Sequence, residues 1–199
     1  MVSTEETIKE AAKKVFIRKG YAGARMADIA EEAGMNKALL HYYYRSKEKL
    51  FHIIFFEVID VLLPKLKATI TTGQSIEEKV TAFVSTYIDA IRANPYVPMF
   101  ILHELSQEPE RFVEIMKQRH VFPEIAQFIM GLMEEMEKGK IQSFHPLHFL
   151  MNMVSMCAFP FVAKPLLQAV SGMDEKSWDQ LMDERKAEVS RFILSALEK

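Results

Sequence analysis

Apolar residues recur at helical spacing along almost the whole chain. Ile8, Ala11, Ala12, Val15 and Phe16 fall at i, i+3, i+4, i+7 and i+8 and predict a first helix that begins near Ser3 or Thr4. Glu6, three residues past Ser3, is placed to complete a capping box. Lys13, Lys14, Arg18 and Lys19 fall mostly off that stripe and read as a solvated face, and Gly20-Tyr21-Ala22-Gly23 breaks the helix. Met26, Ile29, Ala30 and Ala33 mark a second, shorter helix, which Gly34 ends. Asn36 is a good N-cap for a third, on which Leu40 and Tyr43 point inward while Lys37, Ala38, Leu39, His41 and Tyr42 stay largely outside.

The remainder continues as helix, with no convincing strand. Ser46-Lys47-Glu48 opens a long helix whose Leu50, Phe51, Ile54 and Val58 extend an apolar face, with Pro64 placed to kink it and Thr71-Thr72-Gly73 to end it. Ile76 to Ala93 follows, with Val80, Phe83, Val84, Tyr87, Ile88 and Ile91 on its inner side and Asn94-Pro95 as its stop. Val97 to Gln107 is the next. Pro109 to Lys138 reads as one helix that Pro123 bends or breaks, closed by Gly139. Leu147 to Val170 and Ser177 to Leu197 form a last pair, with Trp178, Leu181, Met182, Val189, Phe192, Ile193 and Ala196 as the stripe of the final helix. Leu147 to Ala163 is apolar enough to raise a transmembrane reading, but His148, Asn152, Ser155 and Pro160 interrupt it. A helix covered on more than one side is the better expectation.

Two short helices on either side of a tight turn form a helix-turn-helix, whose second helix is presented to the major groove of DNA while the first lies across the backbone. The stretch Ala33-Gly34-Met35-Asn36-Lys37-Ala38-Leu39-Leu40-His41-Tyr42-Tyr43-Tyr44-Arg45-Ser46-Lys47-Glu48-Lys49-Leu50, preceded by Asp28-Ile29-Ala30, resembles the signature of the tetracycline-repressor (TetR) family of bacterial transcription regulators. The resemblance spans about the first quarter of the chain. Asn36 stands where that family usually has Ser, Ala38 where it has Gly, Leu39 where it has Thr, and His41 where a phosphate-contacting Tyr is most common. Arg25 replaces the usual capping Thr. The resemblance implies a small-molecule pocket in the body and a four-helix dimer interface made by the last two helices of each copy.

Composition sharpens this picture at two points. The formal charge of −2 conceals an asymmetry: residues 1 to 50 hold ten Lys and Arg against seven Asp and Glu, a balance of +3, and residues 51 to 199 hold fifteen against twenty, a balance of −5. A modestly basic head on an acidic body is the sign expected when only one end meets DNA. The single cysteine, Cys157, excludes an intramolecular disulfide framework, and the polar, acidic opening MVSTEETIKE does not read as a secretory signal, so a cytoplasmic chain is expected.

Candidate DNA contacts are Arg25, Asn36, Lys37, Ala38, Leu39, His41, Tyr42 and Lys47. Lys37 can reach a guanine edge or a phosphate, Leu39 cannot hydrogen-bond with its side chain and in the groove is best matched by a thymine methyl, and His41, Tyr42, Arg25 and Lys47 are placed for phosphates. Tyr43 and Tyr44 read as packing. Ten of the thirteen Met lie beyond residue 50, together with most of the Phe, and such side chains line adaptable apolar pockets as readily as they fill cores. The candidate pocket set is Phe83, Tyr87, Phe100, His103, Glu104, Phe112, Met116, Phe122, Phe128 and Met151, with Tyr87, His103 and Glu104 as polar anchors. Enzyme chemistry has little footing: His103-Glu104 lacks the second His of a zinc-protease motif, His145 and His148 lack a third ligand, and Cys157 sits in an apolar run.

The expectation is therefore an all-α chain: a three-helix helix-turn-helix head over residues 1–47, and a helical effector-binding and dimerisation body over 48–199. It would bind an operator in double-stranded DNA as a homodimer, a repressor released from that operator by an apolar or aromatic small molecule, with no cofactor, metal or membrane. The alternative is a DNA-binding protein whose body takes a protein partner instead of a ligand.

Overall fold

The computed structural model describes residues 3–72 and 75–198. Gly73, expected to end the long helix, and the first two residues of the opening segment lie outside the described residues. Within them the regular elements are eleven α-helices, with no strand. Helix α1 (Thr4–Gly23) is capped by Ser3, whose hydroxyl accepts the Glu6 N–H at 3.1 Å. The Glu6 carboxylate turns outward to Lys9, 3.1 Å away, so only one half of the expected capping box forms. All five residues of the predicted stripe are buried. The break falls at Gly20, which adopts φ 66°, a left-handed value that a side chain would strain.

Helices α2 (Met26–Glu32) and α3 (Lys37–Tyr43) are joined by a Schellman turn at Gly34, φ 65°: the Gly34 N–H donates to Glu31 O and the Met35 N–H to Ala30 O. Helix α4 (Lys47–Thr71) follows, 25 residues long and starting from a Ser46 cap. Leu50, Phe51, Ile54, Phe55 and Ile59 of α4 belong to one apolar cluster, together with α1, α2, α3 and residues Tyr96, Val97, Phe100 and Phe112. Leu62, Leu66 and Ile70 belong to a second. Packing thus runs across residue 47 without a seam, and the head is closed from below by side chains of the body. Pro64 sits inside α4, which continues through it as a single helix.

The second cluster is built by α5 (Ile76–Ala93), α8 (Val121–Glu137), α9 (Pro146–Val162) and α11 (Glu175–Ser195), while α6 (Val97–Gln107) and α7 (Pro109–Gln118) supply the lid of the first. Two helix breaks differ from expectation. The segment after Pro109 parts at Arg119 and His120, the latter left-handed at φ 52°, and not at Pro123. Pro123 lies in the first turn of α8, where a missing N–H has no intrahelical partner to lose. The expected Leu147–Val170 helix is likewise two, α9 and α10 (Lys164–Ser171), bent by 68°. Pro165, in the first turn of α10, enforces the break, because it has no N–H to donate to Phe161 O and its ring would crowd that carbonyl in a continuous helix. No single helix among the described residues is long and apolar enough to cross a membrane. In α11 Trp178, Met182, Val189 and Ile193 are buried as expected, whereas Phe192 and Ala196 face outward.

Burial in the second cluster has a titration consequence. Loss of solvent pushes the Tyr87 phenol from its ordinary 10.0 up to about 12, and the Cys157 thiol from 9.0 up to about 12. Between the ordinary and the buried values, the unfolded chain has released protons that the fold retains. The stability these two groups contribute is intact below about pH 9 and drains away as pH climbs toward about 12. Urea unfolding of Tyr87→Phe, which keeps the ring, should therefore lose less stability than the parent chain between about pH 10 and about 12. Identical pH profiles for the two would contradict the burial of this phenol.

Candidate nucleic-acid interface

Helix α3 is short, and seven residues are too few for a helix to persist alone, so its pose depends on anchors. Asn36 Oδ1 accepts the Leu39 N–H at 2.8 Å and fixes the first turn. Leu40, fully buried, and Tyr44, 7% exposed, pin the helix to the first apolar cluster. Everything between faces solvent: Lys37, Ala38, Leu39 and His41 are exposed, and Tyr42 is 81% exposed. Tyr43, expected to pack, is also exposed, its ring edge-on to Tyr42 at 5.5 Å. The packing tyrosine is Tyr44, the C-cap residue, because the chain leaves helical geometry there and swings that ring inward.

Arg25 precedes α2 as its N-cap, but a guanidinium has no acceptor and makes no cap bond there. Asp28 supplies the capping contact in the other direction, its Oδ2 accepting the Arg25 N–H at 3.1 Å. The Arg25 residue stays exposed. Lys47 is different. Its Nζ donates to Tyr21 O at 2.7 Å and lies 4.3 Å above the Tyr21 ring, so this cation is engaged in holding the start of α4 to the α1 break. It is half-buried and does not project with the others.

Charge pairing decides which cations remain available. On α1, Lys9 pairs with Glu6 and Glu57, Lys13 with Glu10, Lys14 and Arg18 with Glu32, and Lys19 with Asp28. Bonding to Glu57 and Glu6 pushes the Lys9 ammonium up, and Lys19 holds the Asp28 carboxyl down. Among the described residues of the head, Arg25, Lys37, Arg45 and Lys49 are exposed and make no ion pair. The uncompensated positive charge of the head is thereby concentrated around α3, although its lysines are spread along α1 in sequence. Arg45 and Lys49 were not among the sequence-derived contacts. Their signal was present, as exposed basic positions flanking the Ser46 cap, but the pairing that removes their rivals depends on tertiary contacts.

The candidate pocket set does not converge. Phe100, Phe112 and Met116 pack in the first cluster, and Phe83, Tyr87 and Phe128 in the second. His103 is exposed against the Tyr21 ring at 5.1 Å, and Phe122 and Met151 lie on the surface, 42% and 55% exposed. Glu104 is buried, as an inward anchor should be, but faces α4 at the base of the head, with His52 Nε2 3.2 Å from its Oε1. Spacing along the chain placed seven of the ten on inner faces and missed that His103, Phe122 and Met151 turn outward; nor could it show that the interior along α4 is two clusters. The body does carry open clefts. One of about 570 Å³ lies between the start of α5, α8 and the end of α11, floored by Phe128, Ile141, Leu194 and Leu197, and only Phe128 belongs to the candidate set.

The comparisons with known proteins fall on the same region. The family model described as bacterial regulatory proteins, tetR family, matches residues 8–54, from the stripe of α1 to the buried Ile54 of α4. The chain is 27% identical over 178 residues to the probable HTH-type transcriptional regulator YttP of Bacillus subtilis (strain 168), covering 85% of this chain and 82% of that protein. With the HTH-type transcriptional regulator RutR of Escherichia coli O157:H7 it shares 24% identity over 198 residues, 97% of this chain and 90% of the other. The solved structure of the fatty acid degradation regulator FadR from Bacillus halodurans has the same fold, with a TM-score of 0.65 at 19% identity, covering 96% of this chain and 94% of that one.

Variants separate the two kinds of lysine. Lys37→Glu and Arg45→Glu should weaken binding to a duplex selected by the parent chain and lower the dependence of log affinity on log salt by about 1 each, with unchanged melting. Lys47→Ala should instead lower the melting temperature. A salt slope unaltered in both reversal variants would remove these residues from the interface.

Proposed function

We propose a working arrangement for this chain, which belongs to the tetR family of bacterial regulatory proteins and is a DNA-binding transcriptional regulator: a homodimer that occupies an operator and represses until a small apolar or aromatic effector binds the body. The observation that carries the reading is the outward face of α3, with Leu39, Tyr42 and unpaired Lys37 held clear of the core while Leu40 and Tyr44 are locked into it. Such a face matches the major groove, where cations meet phosphates and guanine edges and Leu39 meets a thymine methyl.

A second copy is supported by an unsatisfied apolar stripe on the body. Leu147, Met151 and Val154 recur on one side of α9 at 52%, 55% and 39% exposure, and Phe192 of α11 is 57% exposed. Their pairing with the same helices of a partner would hide that surface in a four-helix interface. Two heads held this way would place α3 and its twin in successive major grooves, roughly 34 to 36 Å apart or a multiple of that when bound. The aromatic and thioether content of the second cluster, with Phe83, Tyr87, Phe128, Phe149 and Met153, supports an apolar effector, bound by opening among those side chains. The chain would act in the cytoplasm, where the chromosome is.

The test begins with selection from random duplexes by the purified chain, followed by mass measurement of the complex. Two chains per duplex are expected, and a Met151→Asp variant should reduce the solution mass to one chain and weaken operator binding by at least about tenfold, because each half-site alone loses its partner's effective concentration. A monomeric parent chain with full affinity would defeat the dimer reading. Effector action is tested by adding fractionated cell metabolites to the preformed complex; release by an apolar fraction supports it, and retention of the duplex against every fraction counts against it.

A further inference from the structure

The contact between head and body contains one buried acid that packing alone does not explain. Glu104 of α6 is 5% exposed. One of its oxygens, Oε1, takes the Nε2–H of His52 on α4, at 3.2 Å. The other, Oε2, is buried without a hydrogen-bond partner. On the far side of the imidazole, Arg111 Nη2 of α7 lies 3.5 Å from His52 Nδ1, so arginine, histidine and carboxylate form a line from the surface to the core. Arg111 is meanwhile held at the surface by Glu108, Nη1 to Oε2 at 2.8 Å. The charges of Glu108, Glu104 and Glu48 all push the Arg111 guanidinium up, which places it within the field of the buried acid.

We propose that Glu104 is a positioning residue for the DNA-binding head, acting through His52, and that Arg111 sets its position by moving between Glu108 and the open Oε2. The head side of this junction is well defined. His52 is five residues after the start of α4, and its ring meets Phe100 and Phe56. The neighbouring His103 ring packs at a tilt against Tyr21, the residue at the α1 break that Lys47 clasps. Adjacent side chains of α6 therefore grip the head at two points, one on α4 and one on the α1 break. An exposed pair such as Arg111 with Glu108 contributes little, whereas a buried oxygen without a donor is costly. An arrangement in which the guanidinium reaches Oε2 thus lies close in free energy to the present one. Reaching it requires α7 to slide toward α4, and the His52 and Tyr21 contacts carry that displacement to α3.

This inference rests on α3 being the DNA-binding element, and the experiment keeps the two apart. Glu108→Gln releases Arg111 toward Glu104, while Glu104→Gln keeps the shape of the buried side chain and removes the charge that attracts it. Both are made in the full chain and titrated against the duplex selected by the parent, and in parallel the amide hydrogen exchange of α6 and α7 is followed without DNA. The expected result is a shift of operator affinity in opposite directions, each at least about threefold, with exchange in α7 slowed in E108Q and quickened in E104Q. A purely structural Glu104 would lower melting in E104Q and leave both affinities within twofold, and that outcome, or shifts of the same sign, would overturn the proposal. Failure of the parent chain to select any duplex would count against the DNA reading alone, since opposed exchange changes would still support the positioning role and equal ones would still reject it.

Discussion

One helix shared between two interiors is the constraint on which the rest of the structure depends. The apolar stripe of α4 enters the first cluster at Leu50 and leaves the second at Ile70, so no head core exists apart from that helix and the α6 and α7 residues that roof it. Phe51 lies at the crossing, its ring 4.5 Å from Phe16 of the head and 4.3 Å from Phe100 of the body. Ring pairs of this kind are worth about 0.5–1.5 kcal/mol beyond the area they bury. Their greater consequence is geometric, because close-packed rings transmit a displacement where a flexible linker would absorb it. A head and body joined this way cannot move independently.

The electrostatics of the head follow from the same packing. Laying α2 across α1 brings Asp28 and Glu32 against Lys19, Lys14 and Arg18, and laying α4 against α1 brings Glu57 to Lys9. Most of the basic residues of α1 are thereby neutralised. What is left over lies around α3, so a net charge of only a few units is focused on one small face. Exposed pairs of this kind add little to stability. Their effect here is to decide where a polyanion is attracted.

The body shows the complementary arrangement, with acidic charge dispersed and apolar surface left open in one stripe. Leu147, Met151 and Val154 leave about half of their surface open to solvent. Met151 illustrates how two roles look alike along the chain: a thioether on an apolar helix is suited to a pocket wall or to a partner's surface, and only the direction in which α9 turns it distinguishes them. Arg185 fixes that direction by donating from Nε and Nη2 to Met156 O, locking α9 and α11 face to face.

Local information was sufficient for most of the secondary structure. The stripe of α1, the Gly34 turn, the Asn36 cap and the bounds of α5 and α6 are determined by side chains within four residues of one another, and hydrogen bonds of that reach can be read in order along the chain. The outward character of Lys37, Leu39, His41 and Tyr42 follows from the same periodicity. Where competing local signals met, tertiary contacts decided. His120 took the break assigned to Pro123, since Arg119 is drawn to Asp60 and to the Phe56 ring across the bundle. Of the two tyrosines expected to pack, Tyr44 became the anchor and Tyr43 stayed outside, because the first cluster lies beneath Tyr44. Lys47 was captured by Tyr21, twenty-six positions away in the chain. The division of the interior by α4, which scattered the pocket residues and set Glu104 beside His52, belongs to the tertiary structure alone: burial depends on what lies across from a face, and a helix's own sequence specifies only that it has one.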